Sequence, residues 1–324
     1  MNPGVMLFNV LSLAVPFSVA ILIAALGENF NQRAGVFNLG CDGIMCMGAF
    51  VGFMLPYSLK GGALAPYGNL LGVGGALVVG ALFGLLFALV TVTFRASQGI
   101  AGIGLQMLGW GLSGTLFRHF VGGVTGVEGI QVLPIPLLSR IPFLGGVLFN
   151  HNPLAYVAFL LVPASWFLLY KTPWGLKVRA VGTHPRAADT MGIHVDRTRY
   201  EALMLGGAMA GLAGAYLSLC QAKMFSDDLV AGRGFIAVAL VYFGRWSPLG
   251  ILGGAMLFSI AQSFQLSMQV WGIKFPYEFA VMLPYVLVIV VLALARKARQ
   301  LGPTDLGKPY NLSLIHISEP TRPY

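Results

Sequence analysis

The sequence predicts an all-α polytopic membrane protein, a transmembrane helical bundle of about eight or nine spans with its N-terminus outside and its C-terminus in the cytoplasm. Three observations carry this. Only 10% of the 324 residues are charged, and the mean hydropathy is +0.79. Apolar runs of about twenty residues recur along the whole chain, and a helix of that length crosses a hydrocarbon core of about 30 Å. These runs show no strict alternation, so helices rather than a closed barrel would satisfy the backbone in lipid.

The elements follow in order. Residues 1–26 carry no basic residue ahead of their apolar run, unlike a secretory signal, so 5–26 reads as a retained first span. Further apolar segments lie at 36–57, 70–94, 100–121, 153–170, 200–221, 234–245, 248–270 and 277–295. The 234–245 piece is too short to cross as a full helix and reads as a half helix, a re-entrant segment or part of its neighbour. The stretch 122–152 contains Pro134, Pro136 and Pro142 and reads as an irregular loop. Glycines four apart, as in Gly80 and Gly84, Gly207 and Gly211, or Gly250 and Gly254, place a flat strip on one helix face for tight packing. Cys41, Cys46 and Cys220 fall in apolar segments and form no CxxC pair, which favours packing over metal or disulfide chemistry. No metal site and no cofactor is therefore expected on this chain.

Charge sets the expected orientation. One set of loops holds Arg33, Arg95, the group Lys171, Lys177, Arg179, Arg186, Arg197 and Arg199, then Arg245 and a basic C-terminal cluster; the other holds far fewer. The basic side is the cytoplasmic one. The net charge of +9 then has a membrane explanation and requires no nucleic acid. Residues 1–311 read as a single transmembrane domain. The stretch LSLIHISEPTR at 312–322 resembles the in-frame translation of a transposase adapter used in sequencing libraries, so 312–324 reads as a non-native tail.

The stretch VGTHPRAADTMGIHV, 181–195, is the most hydrophilic in the middle of the chain. Pro185 fits the first turn of a helix and Gly192 the left-handed position just past its end, with Ile193 placed to fold back over the last turn. Between them Arg186, Ala187, Ala188, Asp189, Thr190 and Met191 make about two turns, marginal alone in water. The small Ala187 and Ala188, with Met191 one turn on, suit docking into a groove on another protein. A helix on the membrane surface or an ordinary capped loop fits the spacing equally well.

The stretch RAVGTHPRAADTMGIHVDRTRYEALMLGGAMAGLAGAYLS resembles the cytoplasmic coupling loop and following helix of ABC-importer permeases serving branched-chain amino acids, ribose-type sugars and nucleosides. GENFNQRAGVFNLGCDGIMCMGAF (27–50) and AGRGFIAVALVYFGRWSPLG (231–250) resemble the nucleoside and simple-sugar branch. The resemblance implies a bacterial inner-membrane permease subunit of a nucleoside importer, with a simple-sugar permease as the alternative. A branched-chain amino acid permease fits less well. It also implies that the 171–199 loop docks on a separate ATPase subunit, which carries ATP and Mg²⁺, through Pro185, Ala187, Ala188, Gly192 and Ile193. A second permease chain and an external binding protein complete the expected assembly. His184 stands where an asparagine often caps this helix; histidine caps less well, so Thr183 is expected to share the task. No GxxxxGK[ST] phosphate loop occurs, which fits a transport subunit that is not itself an enzyme.

Candidate pathway residues are polar groups within apolar segments. Asn38 and Asp42 lie four apart and are expected on one helix face at the start of the second span. Asp42 suits either substrate contact or a favourable charge at a helix N-terminus. Gln106 and Gln262 are candidates to hydrogen-bond a ribose or base, although interhelical bonds are the commoner fate of such residues. Trp110 is a candidate to stack on a base, against a plain packing role. Glu28 and Arg33 read as a solvated pair flanking the first turn. An ion-coupled carrier would show buried acids in two inverted halves, and no paired repeat is evident.

Overall fold

A computed structural model describes residues 3–123, 125–134, 144–271, 276–294 and 302–310. Pro136, Pro142, the cluster Arg296, Lys297 and Arg299, and the 312–324 tail lie outside the described residues.

The chain is a helical bundle. In order it forms α1 (Pro3–Arg33), α2 (Cys41–Ser58), α3 (Gly68–Ala88), α4 (Gln98–Phe120), β1 (Leu133–Pro134), α5 (Leu144–Leu148), β2 (Asn150–His151), α6 (Pro153–Lys171), α7 (Pro173–Thr183), α8 (Pro185–Thr190), α9 (Val195–Tyr216), α10 (Arg233–Phe243), α11 (Pro248–Val270) and α12 (Tyr277–Leu294). A π-helical turn extends α3 through Thr93, and another extends α9 through Gln221. Proline opens α6, α7, α8 and α11 in their first turn, where its missing N–H leaves no helical bond unmade.

Seven of the helices, among the described residues, are long and apolar enough to cross a membrane. The piece at 234–245 that the sequence marked as too short to cross is α10, which has only 11 residues, about 16 Å of helix, half of what the hydrocarbon requires. It stands as a separate half helix, joined to α11 by a tight turn in which Arg245 and Trp246 both take positive φ. The last expected span, α12, is an 18-residue helix.

Three other expectations change. α2 starts at Cys41, so Asn38 precedes the helix and does not share a helical face with Asp42. The 171–199 stretch, read as a loop with one short helix, contains a second helix, α7, opened by Pro173 and capped by Thr172, whose Oγ1 accepts the Gly175 N–H at 3.1 Å. The 122–152 stretch is not wholly irregular: β1 and β2 pair antiparallel, Leu133 opposite His151, and α5 lies between them.

The bundle centres on α9, which packs against α1, α2 and α3. Glycine makes this possible. A Cβ on Gly211 would meet the Ala76 carbonyl oxygen of α3, and one on Gly48 of α2 would meet the backbone of Gly211. Without side chains at these crossings the helix backbones touch, so dispersion and close backbone packing replace the hydrophobic drive that lipid does not supply. By contrast α3, α4 and α6 present large apolar side chains outward, among them Leu70, Val78, Ile100, Met107, Leu160 and Phe167.

Candidate functional site

At one end of the bundle α7, α8 and the start of α9 form a projecting platform. Gly192 has φ +81°; its N–H donates to the Asp189 carbonyl at 2.9 Å, and the Ile193 N–H donates to the Ala188 carbonyl at 3.0 Å. This paired closure is the Schellman stop, and it folds Ile193 back onto Val181, Ala188 and Val195. The helix is therefore held from one side. Pro185 and Ala188 are buried, while Arg186, Ala187, Thr190 and Met191 face outward, Met191 being 81% exposed. Ala187 and Ala188, grouped in the sequence as one docking face, are thus split between the two faces of α8.

The start of α8 differs from expectation. Neither residue caps it with a side chain: His184 makes no such bond, and the Thr183 hydroxyl donates back to the Arg179 carbonyl of α7 at 2.8 Å. Only the His184 carbonyl begins the helix, accepting the Ala188 N–H at 3.0 Å.

A second polar cluster lies inside the bundle. Asp42, fully buried in the first turn of α2, accepts the Gly234 N–H of α10 at 2.8 Å and the Trp110 Nε1–H of α4 at 3.1 Å. It thus ties three helices together at one carboxylate. Gly234 is needed there, since a Cβ would sit 2.4 Å from the Asp42 backbone. Gly234 lies in the first turn of α10, where the helix dipole favours negative charge. The helix terminus that Asp42 serves most directly is that of α10, not only that of its own helix. Trp110 is 46% exposed, so its N–H is held inside while part of its ring reaches the outer surface of the described chain.

Of the other candidates, Gln106 is buried where α4 crosses α2 at Gly43. Asn38 closes the α1–α2 connection, its Oδ1 accepting the Gly40 N–H at 2.8 Å. Asn38, Asp42, Gln106 and Trp110 therefore lie around one junction of α2 and α4. Gln262 does not join them: it sits on α11, which packs against α1, α6, α10 and α12. Its Oε1 is buried without a hydrogen-bond partner among the described residues.

Sequence reasoning missed Glu28. It is 1% exposed, not solvated, and not paired with Arg33. Its carboxylate accepts from Asn31 at 2.8 Å, Gln32 at 3.1 Å and the Asn38 backbone N–H at 2.9 Å. Arg33 instead donates to the Trp246 carbonyl at 2.9 and 3.1 Å and to the Tyr170 hydroxyl at 3.0 Å. The signal was present: Glu28, Asn31 and Gln32 stand three and four apart, on one helix face. A polar run closing an apolar helix reads as solvent-exposed unless the next segment turns back beside it, as α2 does here.

Comparison with known proteins places this architecture. The family model described as branched-chain amino acid transport system / permease component matches residues 7–292. The chain belongs to this permease family. It is a multi-pass membrane transport component, not an enzyme. The permease is similar to the guanosine ABC transporter permease protein NupQ of Bacillus subtilis, 37% identical over 93% of this chain and 97% of the relative. It is similar also to the nucleoside ABC transporter permease protein NupC of Lactococcus lactis, 36% identical over 86% of this chain and 89% of that one. A third relative, the putative glucose ABC transporter permease protein TsgC13 of Haloferax volcanii, is 36% identical over 81% of this chain and 78% of its own length. No solved structure matches the permease.

Proposed function

We infer that the protein is the permease subunit of an ATP-driven nucleoside importer in the bacterial inner membrane. The observation that carries this reading is the end-to-end similarity to two nucleoside permeases, one of them covering 97% of its relative. In this reading α8 is the element that meets the ATPase, through Arg186, Ala187 and Met191, while Pro185, Ala188, Gly192 and Ile193 hold its shape. The platform end faces the cytoplasm, in line with its basic residues. ATP and Mg²⁺ belong to the ATPase chain, and an external binding protein delivers the substrate. The partner permease is a second, related chain.

The substrate path lies on the α2–α4–α10 face. There the half helix α10 ends inside the bundle, an arrangement that transporters use where irregular backbone lines a cavity. Asp42 fixes the edge of the Trp110 ring and leaves its face for a planar base.

The glucose relative supports a second reading, a simple-sugar permease. Uptake separates the two. Proteoliposomes holding the full complex, with ATP inside and binding protein outside, are expected to accumulate radiolabelled guanosine, with unlabelled adenosine competing and glucose or ribose not. Accumulation of glucose with no guanosine uptake refutes the nucleoside reading in favour of the sugar one.

A further inference from the structure

Residues 302–310 return to the platform and are fastened to it at several points. The Thr304 hydroxyl donates to the Thr183 carbonyl at 2.5 Å. The Asp305 N–H donates to the Gly182 carbonyl at 3.2 Å, and the Gly307 N–H donates to the Gly35 carbonyl at 3.1 Å. Arg199, 2% exposed in the first turns of α9, binds the junction from beneath. Its guanidinium donates to the Ala34 carbonyl at 3.2 Å and the Lys308 carbonyl at 3.4 Å, and lies 3.5 Å from the Asp305 carboxylate. One buried cation therefore joins the α1–α2 turn, α9 and the C-terminal segment. Tyr310 completes the contact by packing on the apolar cluster under α8.

Between α8 and this segment lies an open cleft of about 650 Å³, lined by His184, Arg186, Lys308 and Tyr310 among others. Its acid, Asp305, is matched by Arg199 at 3.5 Å and by Lys308 at 3.9 Å. Of the residues that line the cleft, Arg186 and Lys308 are basic and Asp305 is acidic, an excess of one positive charge. Asp189 lies beside it, bonded to Tyr310, and the Lys308 side chain is 67% exposed. Arg186 and Ala187 both line the cleft and stand exposed on α8, so the cleft adjoins the outward face of that helix.

We propose that residues 302–310 form the second half of the ATPase-docking surface, the cleft receiving an acidic edge of the ATPase subunit beside α8. This rests on the reading of α8 as the ATPase-contacting helix. Tyr310 and the Thr304 and Asp305 bonds join the segment to the α7–α8 platform, and Arg199 fastens it to the α1–α2 turn and α9. The two surfaces would therefore take the thrust of the ATPase as one body and pass it to α1 and α9, rather than to α8 alone.

The test uses the full permease–ATPase complex in nanodiscs, with a photo-reactive benzoyl side chain placed singly at Met191, Lys308 or Leu160. All three positions are exposed, so folding is not at stake. Crosslinks to the ATPase from both 191 and 308, and none from 160, are the expected result. A crosslink from 191 alone overturns the proposal and leaves the α8 reading standing. No ATPase crosslink from either position removes both, as does equal crosslinking from 160. Capture of a permease chain rather than the ATPase from 308 also overturns it. In the same complex Lys308→Glu is expected to weaken ATPase retention at least about five-fold, in line with a charge contact at a partly exposed site.

Discussion

The Asp42 carboxylate and the Gly234 N–H, 192 residues apart in the chain, meet at 2.8 Å inside the bundle. This bond anchors the start of the half helix α10 against α2, and Asp42→Ala would leave the Gly234 donor buried without a partner. The expected cost is about 1–3 kcal/mol from that donor. Asp42→Asn, which keeps an acceptor oxygen, should lie nearer the native protein. Thermal unfolding in detergent, followed by tryptophan fluorescence, checks the order. Equal melting temperatures for Ala and Asn would remove the structural role assigned here.

Gly192 gives a test of conformation without steric interference, because nothing lies within 4 Å of a Cβ placed there. The φ of +81° still penalises side chains, by about 1–3 kcal/mol for residues that rarely adopt it. We expect Gly192→Val to lower substrate-stimulated ATPase activity of the assembled complex strongly and Gly192→Asn to lower it little, since asparagine tolerates this conformation. Unchanged stimulated activity in the valine variant would sink the assignment of α8 to ATPase coupling.

The glycine crossings predict a contrast within one chain. Gly211→Ala would drive a methyl into the Ala76 carbonyl, whereas Gly253→Ala meets nothing within 4 Å. The first is expected to lose at least about 1–3 kcal/mol through overpacking, the second to be neutral or slightly stabilising. Yield of monodisperse protein on size-exclusion chromatography distinguishes them. Comparable yields would contradict the backbone contact between α3 and α9.

Trp110 allows stacking to be separated from its bond to Asp42. Trp110→Phe removes the N–H and keeps an aromatic face; Trp110→Ala removes both. If the ring carries a base, the alanine variant should raise the KM for guanosine uptake about 5-fold to 100-fold, the range of a base–aromatic stack. The phenylalanine variant should stay within a few-fold of native. Matching KM values for the two variants would show that the N–H bond, not the ring face, is what matters.

His151 supplies a pH dependence. Burial pushes its pKa below the ordinary value of 6.5, opposed by the bond of its ring Nε2 to the Val147 carbonyl at 2.7 Å. A depressed folded-state value means the unfolded chain binds the proton more readily. The stability contributed by neutral His151 is then full above about pH 6.5 and declines as pH falls through the folded-state value. His151→Gln should therefore narrow the drop in melting temperature between pH 7.5 and pH 5. An identical drop in both proteins would assign the acid sensitivity to other groups.

Much of the fold was legible from the chain alone. The apolar runs marked the long helices because lipid imposes a length and forbids unpaired backbone, both local constraints. The run at 248–270 coincides with α11. Pro185 and Gly192 marked α8 because the φ of each is a property of one residue and its neighbours.

What the sequence by itself determined, then, is the membrane class, most helix positions, the shape of α8 and the family. Tertiary structure alone decided the meaning of the polar residues. Glu28 reads as solvated until α2 turns back beside it. Asp42 reads as a cap for its own helix until α10 arrives from 192 positions later. Arg199 looks like one basic residue of a cytoplasmic loop until the α1–α2 turn and the C-terminal segment close over it. The physical reason is common to all three. A helix propensity or a hydrophobic period is written in neighbouring residues, whereas the burial and partners of a charge depend on which distant backbone groups packing brings within about 3 Å.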